Sequence, residues 1–355
     1  MKDRWNEMQS LNDILHVARE NNYSDVHLGG QNNIMIRNNG ILYPYEHSYS
    51  VDDVVAMILS MLSNSQKEKL EQGKDVDLVY VENMNRYRVN VYKERGQLCA
   101  ALRIIYERIR SLEELHLPPV LKQLTQENRG LVLLTGPTGS GKSTTLAAMI
   151  NEINQNRKCH ILTIEDPIEY VYNQQQALIH QREVEFDVES FDMALKSALR
   201  EDPDVILVGE MRDYETIQAV MTLAETGHLV FSTLHTIGAA KTIDRIVDVF
   251  PPHKQEQIRT QLSGVLNAVV TQQLIPTANG NSRVAALEIM LATPAVQNLI
   301  RENKGHQINS LIQTGMNMGM QSLNMCLASL MRQGVITKDA AIQYSDNVSE
   351  LQQMI

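Results

Sequence analysis

Apolar residues in the first third of the chain recur with two different spacings. Helical spacing predicts one helix around Leu11–Ala18 and a second over Val51–Leu70. Alternating apolar and polar residues predict six strands: Ser24–Leu28, Ile34–Arg37, Ile41–Tyr43, Asp77–Val81, Tyr87–Tyr92 and Leu98–Ile105. Because only short turns separate the last three strands, we expect them to form an antiparallel meander. This part of the chain is therefore predicted to be an α+β domain.

After Val120 the pattern changes to short apolar runs that alternate with helical segments. Four of these runs are apolar at almost every position: Leu131–Thr135, Ile161–Ile164, Val205–Val208 and Leu229–Thr233. Strands of this kind are buried on both faces, which is typical of the parallel sheet of an α/β domain. A further strand is predicted at Arg283–Met290, and mostly helical spacing follows it.

Length and composition favour two ordinary globular domains, since the chain has 355 residues, 43% hydrophobic and 21% charged. The segment Leu117-Pro118-Pro119 marks the boundary, because a residue that precedes proline resists the helical conformation. We expect an N-terminal domain at residues 1–110, a linker at 111–120 and a second domain at 121–355.

Charge, cysteine content and the amino terminus exclude several classes of protein. The net charge is −10 and both parts of the chain are acidic, so we expect no direct nucleic-acid partner. Three widely spaced cysteines allow neither a disulfide framework nor a four-cysteine zinc site within one chain. The polar amino terminus and the lack of a long apolar run predict a cytoplasmic protein without signal peptide or membrane anchor.

One segment carries a specific signal for nucleotide binding. It follows the apolar run Leu131–Thr135, opens a helix and fits the pattern G-x-x-x-x-G-K-[ST] of a P-loop. Glycines in such a loop let backbone N–H groups surround phosphate oxygens at the positive end of the helix dipole. We expect ATP as the ligand, with Lys142 reaching the β- and γ-phosphates and the Ser143 hydroxyl holding Mg²⁺. The residues of this segment are Gly136, Pro137, Thr138, Gly139, Ser140, Gly141, Lys142, Ser143 and Thr144.

Hydrolysis also needs carboxylates that support the metal and orient water. Glu210 follows a buried strand, and we expect it to act as general base or water positioner and as a metal ligand. Gly209 stands where an aspartate often assists Mg²⁺, so a second carboxylate is required. Glu165 is the candidate for support of metal and water, with Asp166 and Glu169 of the same loop as alternatives.

Two histidines and two arginines complete the candidate catalytic residues. His235 follows a buried strand at the edge where ligands of α/β sheets bind, so it is a candidate γ-phosphate sensor. His228 precedes the same strand, and for this residue a structural and a functional interpretation are equally open. Arg88 and Arg103 fall on the N-terminal meander, where composition alone favours exposed ion pairs.

Longer motifs accompany these residues over nearly the whole chain. They are GPTGSGKST (136–144), TIEDPIEY (163–170), ALREDPDVILVGEMRD (198–213), TGHLVFSTLHT (226–236), AAKTIDRIVDVFPP (239–252), RYRVNVYKERG (86–96), QLSGVLNAVVTQQLIP (261–276), NLIRENKGHQINSLIQTG (298–315) and QSLN (321–324). Together they resemble the secretion-ATPase superfamily of type II and type IV systems, and most strongly the type IV pilus retraction ATPases.

The resemblance implies a PAS-like α+β N-terminal domain followed by a RecA-like P-loop ATPase domain. It implies a homohexamer with ATP between the two domains and an inner-membrane pilus platform protein as partner. The motor would lie peripherally at the cytoplasmic face of the inner membrane and retract the pilus by disassembly. The resemblance supports the acids and histidines named above, and it makes Arg88 and Arg103 candidates for reaching the phosphates.

Two features favour retraction over assembly. The chain begins almost directly at the N-terminal domain, and it cannot form the four-cysteine insertion that is common in assembly relatives. Tyr106, Glu185 and Ile237-Gly238 depart from the residues usual in the family. The alternatives are an assembly, secretion or DNA-uptake ATPase of the same superfamily, or a slow nucleotide-dependent regulatory scaffold. The complete set of candidate catalytic residues argues against the scaffold.

Overall fold

The computed structural model describes residues 10–29, 34–38, 40–83, 85–105, 108–280 and 282–355. The chain divides into two units between residues 107 and 108. The segment predicted as a linker, residues 111–120, lies within the second unit. Its apolar side chains explain this position, because Leu112, Leu117 and Val120 are buried in the core of that unit.

The first unit is built on a six-stranded sheet in the order β3-β2-β1-β6-β5-β4. All neighbouring strands are antiparallel, and β4, β5 and β6 form the predicted meander. Apolar residues on one face of the sheet pack with those of the helices into a single core. The elements are α1 (Leu11–Glu20), β1 (Asp25–Leu28), β2 (Ile34–Asn38), β3 (Ile41–Pro44), α2 (Val51–Ser60), α3 (Asn64–Glu71), β4 (Val76–Glu82), β5 (Asn85–Glu94) and β6 (Gln97–Ile105).

The single helix predicted over Val51–Leu70 is wrong, because the segment forms two helices, α2 and α3. Ser63 ends the connection between them with a capping box. Its hydroxyl accepts a hydrogen bond from the backbone N–H of Gln66, and the Gln66 side chain accepts one from the Ser63 N–H. This reciprocal pair satisfies two donors at a helix start, which favours a new helix there over continuation of the first.

The second unit contains a seven-stranded sheet in the order β13-β12-β7-β11-β10-β8-β9. The six strands from β12 to β9 are parallel, and β13 runs antiparallel to β12 at the edge. Alternate residues of the central strands enter two separate cores, so these strands are buried on both faces. The elements are α4 (Pro119–Leu124), β7 (Gly130–Thr135), α5 (Lys142–Asn156), β8 (His160–Glu165), β9 (Leu178–Glu183), α6 (Phe191–Ala198), β10 (Val205–Val208), α7 (Tyr214–Glu225), β11 (Leu229–Leu234), α8 (Ala239–Asp248), α9 (Gln255–Val265), β12 (Leu266–Pro276), β13 (Arg283–Leu291), α10 (Pro294–Arg301), α11 (Ile308–Thr314), α12 (Leu323–Arg332), α13 (Lys338–Tyr344) and α14 (Val348–Met354).

Two strands of this sheet, β9 and β12, are absent from the sequence prediction. β9 lies at the sheet edge, and four of its six residues are polar, so it lacks the apolar run of a central strand. β12 follows α9 directly, so its apolar residues continue those of the helix with no turn residue between them. Among the helices of the described ranges, none has the length and apolar composition required to span a lipid bilayer.

Candidate active site

The carboxyl ends of four neighbouring parallel strands bring most of the predicted site residues to one edge of the sheet. β7, β11, β10 and β8 lie side by side in this order. The P-loop follows β7, His235 follows β11, Glu210 comes two residues after β10, and Glu165 ends β8. Ligands of open α/β sheets bind at this edge, so the topology assembles a site from residues far apart in sequence.

The P-loop uses glycine where the backbone takes a positive φ. Gly136 has a φ of 134° and Gly141 a φ of 86°. A Cβ atom on Gly136 would lie 2.2 Å from the backbone oxygen of Gln272, so a larger residue cannot fit there. The helix α5 then begins at Lys142 with no side-chain cap at its N-terminus, so N–H groups of its first turn remain for an anion. Residues 136–144 therefore form the strand–loop–helix geometry of a phosphate-binding loop.

The Lys142 side chain is folded over the P-loop and is only 8% exposed. Its ammonium donates hydrogen bonds to the backbone oxygens of Gly136, at 2.8 Å, and Pro137, at 3.2 Å. Burial lowers the pKa of this ammonium, although the charges of Glu210 and Glu169 act in the opposite direction. Because neutral carbonyls rather than a carboxylate hold the ammonium, its charge is available to an anion in the loop.

His235 connects the P-loop to Glu210. Its Nδ1 is hydrogen-bonded to the hydroxyl of Thr138 at 3.4 Å, and its Nε2 lies 3.1 Å from Oε1 of Glu210. The other carboxylate oxygen of Glu210 lies 2.8 Å from a guanidinium nitrogen of Arg212. Burial acts to raise the pKa of Glu210, but the contacts with Arg212 and His235 outweigh it and the pKa lies below its usual value. Glu210 is therefore an ionised carboxylate held between two partners.

Glu165 has a different environment from Glu210. Its side chain is buried, with 8% exposed, and Oε1 accepts hydrogen bonds from the Thr163 hydroxyl at 2.6 Å and the Gln181 amide at 3.2 Å. Burial raises the pKa of Glu165 to about 7, against the opposing effect of those hydrogen bonds. The residue therefore exchanges a proton near neutral pH. The alternatives in the same loop, Asp166 and Glu169, are exposed.

The predicted magnesium ligands fit the ion unequally. Ser143 is half-buried in the first turn of α5, and no other described residue forms a hydrogen bond with its hydroxyl, which leaves this oxygen available to a hard cation. Glu210 is already paired with His235 and Arg212, and Glu165 is partly protonated at neutral pH. Within the described ranges, no group of three or more His, Cys, Asp or Glu side chains is placed to hold a metal. The protein side chains alone therefore do not form a complete metal site among the described residues.

His228 does not join the site within one chain. It precedes β11, whereas His235 follows it, and a strand of six residues separates the two by about 20 Å. Its Nδ1 is satisfied locally, at 2.9 Å from the backbone oxygen of Leu223 and 3.1 Å from the Thr226 hydroxyl. This geometry matches the structural interpretation of His228 that the sequence left open.

Arg88 and Arg103 lie in the first unit, on the exposed face of its sheet. They are directly opposite each other on β5 and β6. The Arg103 guanidinium lies 3.0 Å from Oδ1 of Asp25, and Arg37 approaches the other oxygen of Asp25 at 3.6 Å. The Arg103 side chain remains 67% exposed despite this pair. Both arginines are therefore accessible, with Arg103 paired as the composition argument expected.

Three contributors to the site are missing from the sequence prediction. Arg212 pairs with Glu210, Gln181 contacts Glu165, and Gln272 contacts the P-loop. Arg212 was within reach of sequence reasoning, because it lies two residues after Glu210 in the motif that carries that acid. The two glutamines belong to β9 and β12, the strands that the pattern does not predict, so no local signal marks them.

Comparison with known proteins places this site in a family. Residues 2–337 match the type II/IV secretion system protein family. The chain belongs to that family. A twitching motility protein of Neisseria gonorrhoeae is 53% identical over 299 residues, covering 84% of this chain and 80% of the relative. The type IV pilus retraction ATPase PilT of Pseudomonas aeruginosa is 47% identical, covering 93% of this chain and 96% of the relative.

Solved structures of family members have the same fold. The crystal structure of the pilus retraction motor PilT with bound ADP superimposes with a TM-score of 0.90 at 42% identity, covering 98% of this chain and all of that one. This match confirms the predicted fold class, an antiparallel N-terminal domain followed by a parallel-rich ATPase domain. The predicted membership of the secretion-ATPase family is confirmed as well.

Proposed function

We propose that the chain is an ATP-hydrolysing motor that powers retraction of a type IV pilus. The observation that carries the proposal is the line of contacts from Thr138 through His235 to Glu210 and Arg212 at the carboxyl edge of the sheet. This line connects a phosphate-binding loop to an ionised carboxylate that can orient a water molecule for attack on a bound nucleotide. The names of the similar proteins, twitching motility protein and pilus retraction ATPase, supply the biological process.

The chain's own groups divide the work of hydrolysis. Backbone N–H groups of the P-loop and the Lys142 ammonium bind the phosphates and neutralise the charge that develops during transfer. Glu210 orients a water molecule and accepts its proton, and its low pKa keeps it ionised and ready for that role. His235 contacts both the loop and Glu210, which supports a role for it as a sensor of the γ-phosphate.

Mg²⁺ is the cofactor we propose with ATP. A bound Mg²⁺ would supply positive charge that neutralises the phosphates. Ser143 would hold it directly, because its hydroxyl is available at the first turn of α5. We propose supporting roles for Glu165 and Glu210, which lie at the ends of neighbouring strands.

We further propose a homohexamer that acts on an inner-membrane pilus platform protein, at the cytoplasmic face of that membrane. In such a ring Arg88 and Arg103 would supply positive charge to a bound nucleotide when subunits or domains close on it. Their exposure on one face of the sheet supports this role, because both guanidinium groups are accessible to an anion.

The Glu210→Gln variant tests the catalytic part of the proposal. The amide keeps the size of the side chain but cannot accept a proton, so ATP binding should persist while turnover falls by about a hundredfold or more. ATP affinity and steady-state phosphate release would be measured on purified wild-type, Glu210→Gln and Glu215→Gln proteins. Glu215 is an exposed control in the first turn of α7. Normal turnover in Glu210→Gln, or loss of ATP binding, would move the role to Glu165.

A deletion strain tests whether the protein powers retraction or assembly of the pilus. Cells of the source organism without this gene should carry excess pili and fail to twitch, because assembly continues without retraction. Complementation with wild-type protein should restore twitching, and complementation with Glu210→Gln should not. Cells without pili would reject retraction and favour the assembly alternative.

A further inference from the structure

Gln272 is a buried side chain beside the P-loop, and the mechanism above does not use it. It lies on β12 and is 2% exposed. Its amide nitrogen donates a hydrogen bond of 2.8 Å to the backbone oxygen of Ser140, inside the P-loop. Its amide oxygen accepts a hydrogen bond of 2.8 Å from the hydroxyl of Thr145, on the first turn of α5. One side chain therefore connects the loop with the helix that follows it.

The register of the sheet places Gln272 at this point. β12 pairs in parallel with β7 so that Thr271 lies opposite Thr135, and the two hydroxyls are hydrogen-bonded at 2.8 Å. The next residue of each strand is Gln272 on β12 and Gly136 at the start of the P-loop. The backbone oxygen of Gln272 closes the space at Gly136, where an added Cβ would lie 2.2 Å away. β12 thus packs against the P-loop on the side of β7 opposite to β11.

The orientation of carbonyl groups decides whether such a loop can bind phosphate. A loop that binds anions must present N–H groups to the ligand, since a carbonyl oxygen directed at the phosphates would repel them. Ser140, two residues before Lys142, lies in the middle of the P-loop, so the direction of its carbonyl affects the phosphate site. Its hydrogen bond to Gln272 holds it toward β12, and the Thr145 hydroxyl fixes which end of the Gln272 amide faces the loop.

We propose that Gln272 is a positioning residue for nucleotide binding, which sets affinity by holding the Ser140 carbonyl away from the phosphates. The inference rests on the proposed function, because it assumes a nucleotide in the P-loop. It assigns the residue no contact with the nucleotide. Gln272 acts only through the conformation of the loop and through Thr145.

Substitution of Gln272 tests the proposal. Gln272→Met preserves length and loses both hydrogen bonds, and we expect the Kd for ADP to rise about tenfold. Gln272→Glu replaces the donor with an oxygen that faces the Ser140 carbonyl, so the Kd should rise further, by about a hundredfold. The matched control is Gln273→Met, the same change one residue along β12, on the opposite face of the strand, where the Kd should stay within about twofold. ADP binding would be measured by calorimetry with EDTA, so that the metal does not enter.

Thr145 provides a second test that does not depend on the folding of the Gln272 variants. Thr145→Val removes the hydroxyl that orients the amide and should raise the Kd for ADP about threefold or more. Thr145→Ser keeps the hydroxyl and should restore wild-type affinity, which a packing effect alone would not do. Melting temperatures of the nucleotide-free proteins would separate loss of affinity from loss of stability.

The outcomes distinguish this inference from the proposed function. Wild-type affinity in Gln272→Met, or equal affinities in Thr145→Val and Thr145→Ser, would overturn the positioning role. Absence of ADP binding to the wild-type protein would instead overturn the proposed function. If Gln272→Met fails to fold, the comparison of the two Thr145 variants decides the question.

Discussion

The two sheets of this protein present their candidate functional charges in opposite ways. At the carboxyl edge of the second sheet, Lys142 and Glu165 are buried and hydrogen-bonded before any ligand arrives. On the first sheet, Arg88 and Arg103 lie on an exposed face. Buried groups with fixed partners hold a site in its working geometry, whereas exposed groups act only when another surface meets them. The second sheet therefore carries a preformed site, whereas the two arginines of the first sheet can act only when a ligand or another protein surface contacts them.

The arginine pair also has a cost that the buried site does not share. Arg88 and Arg103 are directly opposite on neighbouring strands, and like charges in that position destabilise a sheet. Asp25 offsets the charge of Arg103 from the next strand, but it also faces Arg37. A like-charged pair on an accessible face supports the proposal that both arginines serve an anionic ligand rather than the stability of the sheet.

Loss of the Lys142 ammonium should have the largest effect on activity. Lys142→Ala removes the only side-chain charge that the P-loop itself contains, and we expect turnover to fall by at least about a thousandfold. Phosphate release by the purified variant would be compared with that of Lys241→Ala, which removes an exposed lysine of α8 in the same unit. Wild-type turnover in a folded Lys142→Ala protein would reject the P-loop assignment, and with it the preformed site at the second sheet.

Glu165 should make the stability of the second unit depend on pH. Burial raises its pKa from 4.5 to about 7, so between these values the folded state binds more protons than the unfolded state. Stability is therefore lost as pH rises through this window, by about 3 kcal/mol in total. Glu165→Gln keeps acceptors for Thr163 and Gln181 but cannot ionise, so the loss should be absent from that variant.

Urea unfolding followed by circular dichroism between pH 5 and 8 would measure this difference. Between pH 5 and 8, the free energy of unfolding of Glu165→Gln should rise by about 2–3 kcal/mol relative to that of the wild-type protein. Glu169→Gln, which changes an exposed acid of the same loop, should follow the wild-type protein. If the free energies of unfolding of wild-type and Glu165→Gln proteins depend on pH in the same way, the Glu165 carboxyl is ionised throughout this range. Its pKa would then not differ from that of Glu210 in the way described above.

Arg103 should affect turnover more than stability. The Arg103 side chain is 67% exposed, and its loss leaves the buried Asp25 with Arg37 at 3.6 Å, so the cost to stability should be small, about 1 kcal/mol. If it meets the phosphates, Arg103→Ala should still bind nucleotide and assemble but hydrolyse ATP about tenfold more slowly. Lys93→Ala, which removes an exposed charge of β5, serves as the control.

Mixed assemblies sharpen this test. In a ring whose subunits close in turn, activity should decline faster than the fraction of Arg103→Ala subunits rises. ATPase rate would be measured against mutant fraction after co-assembly, with ring formation checked by light scattering. A linear decline would reject coordinated closure, and full activity in pure Arg103→Ala assemblies would reject the role of the arginine.

The sequence by itself determined the elements whose signals are local. The P-loop depends on glycines and a lysine at fixed spacing, and the central strands are apolar on both faces because both faces are buried. The meander follows from alternating residues and short turns. The apolar runs that precede His235, Glu210 and Glu165 marked these residues as candidates, but the strand order that brings them to one edge came from the tertiary structure.

Only the tertiary structure decided which polar groups share an environment. Glu165 differs from Asp166 and Glu169 because the fold buries it against Thr163 and Gln181, a fact that no spacing within the loop records. His228 is separated from His235 by the length of a strand. Gln272 reaches the P-loop because β12 pairs with β7 across more than a hundred residues of intervening chain. The physical reason is the same in each case: burial and hydrogen bonding depend on neighbours in space, and a sequence pattern reports only neighbours along the chain.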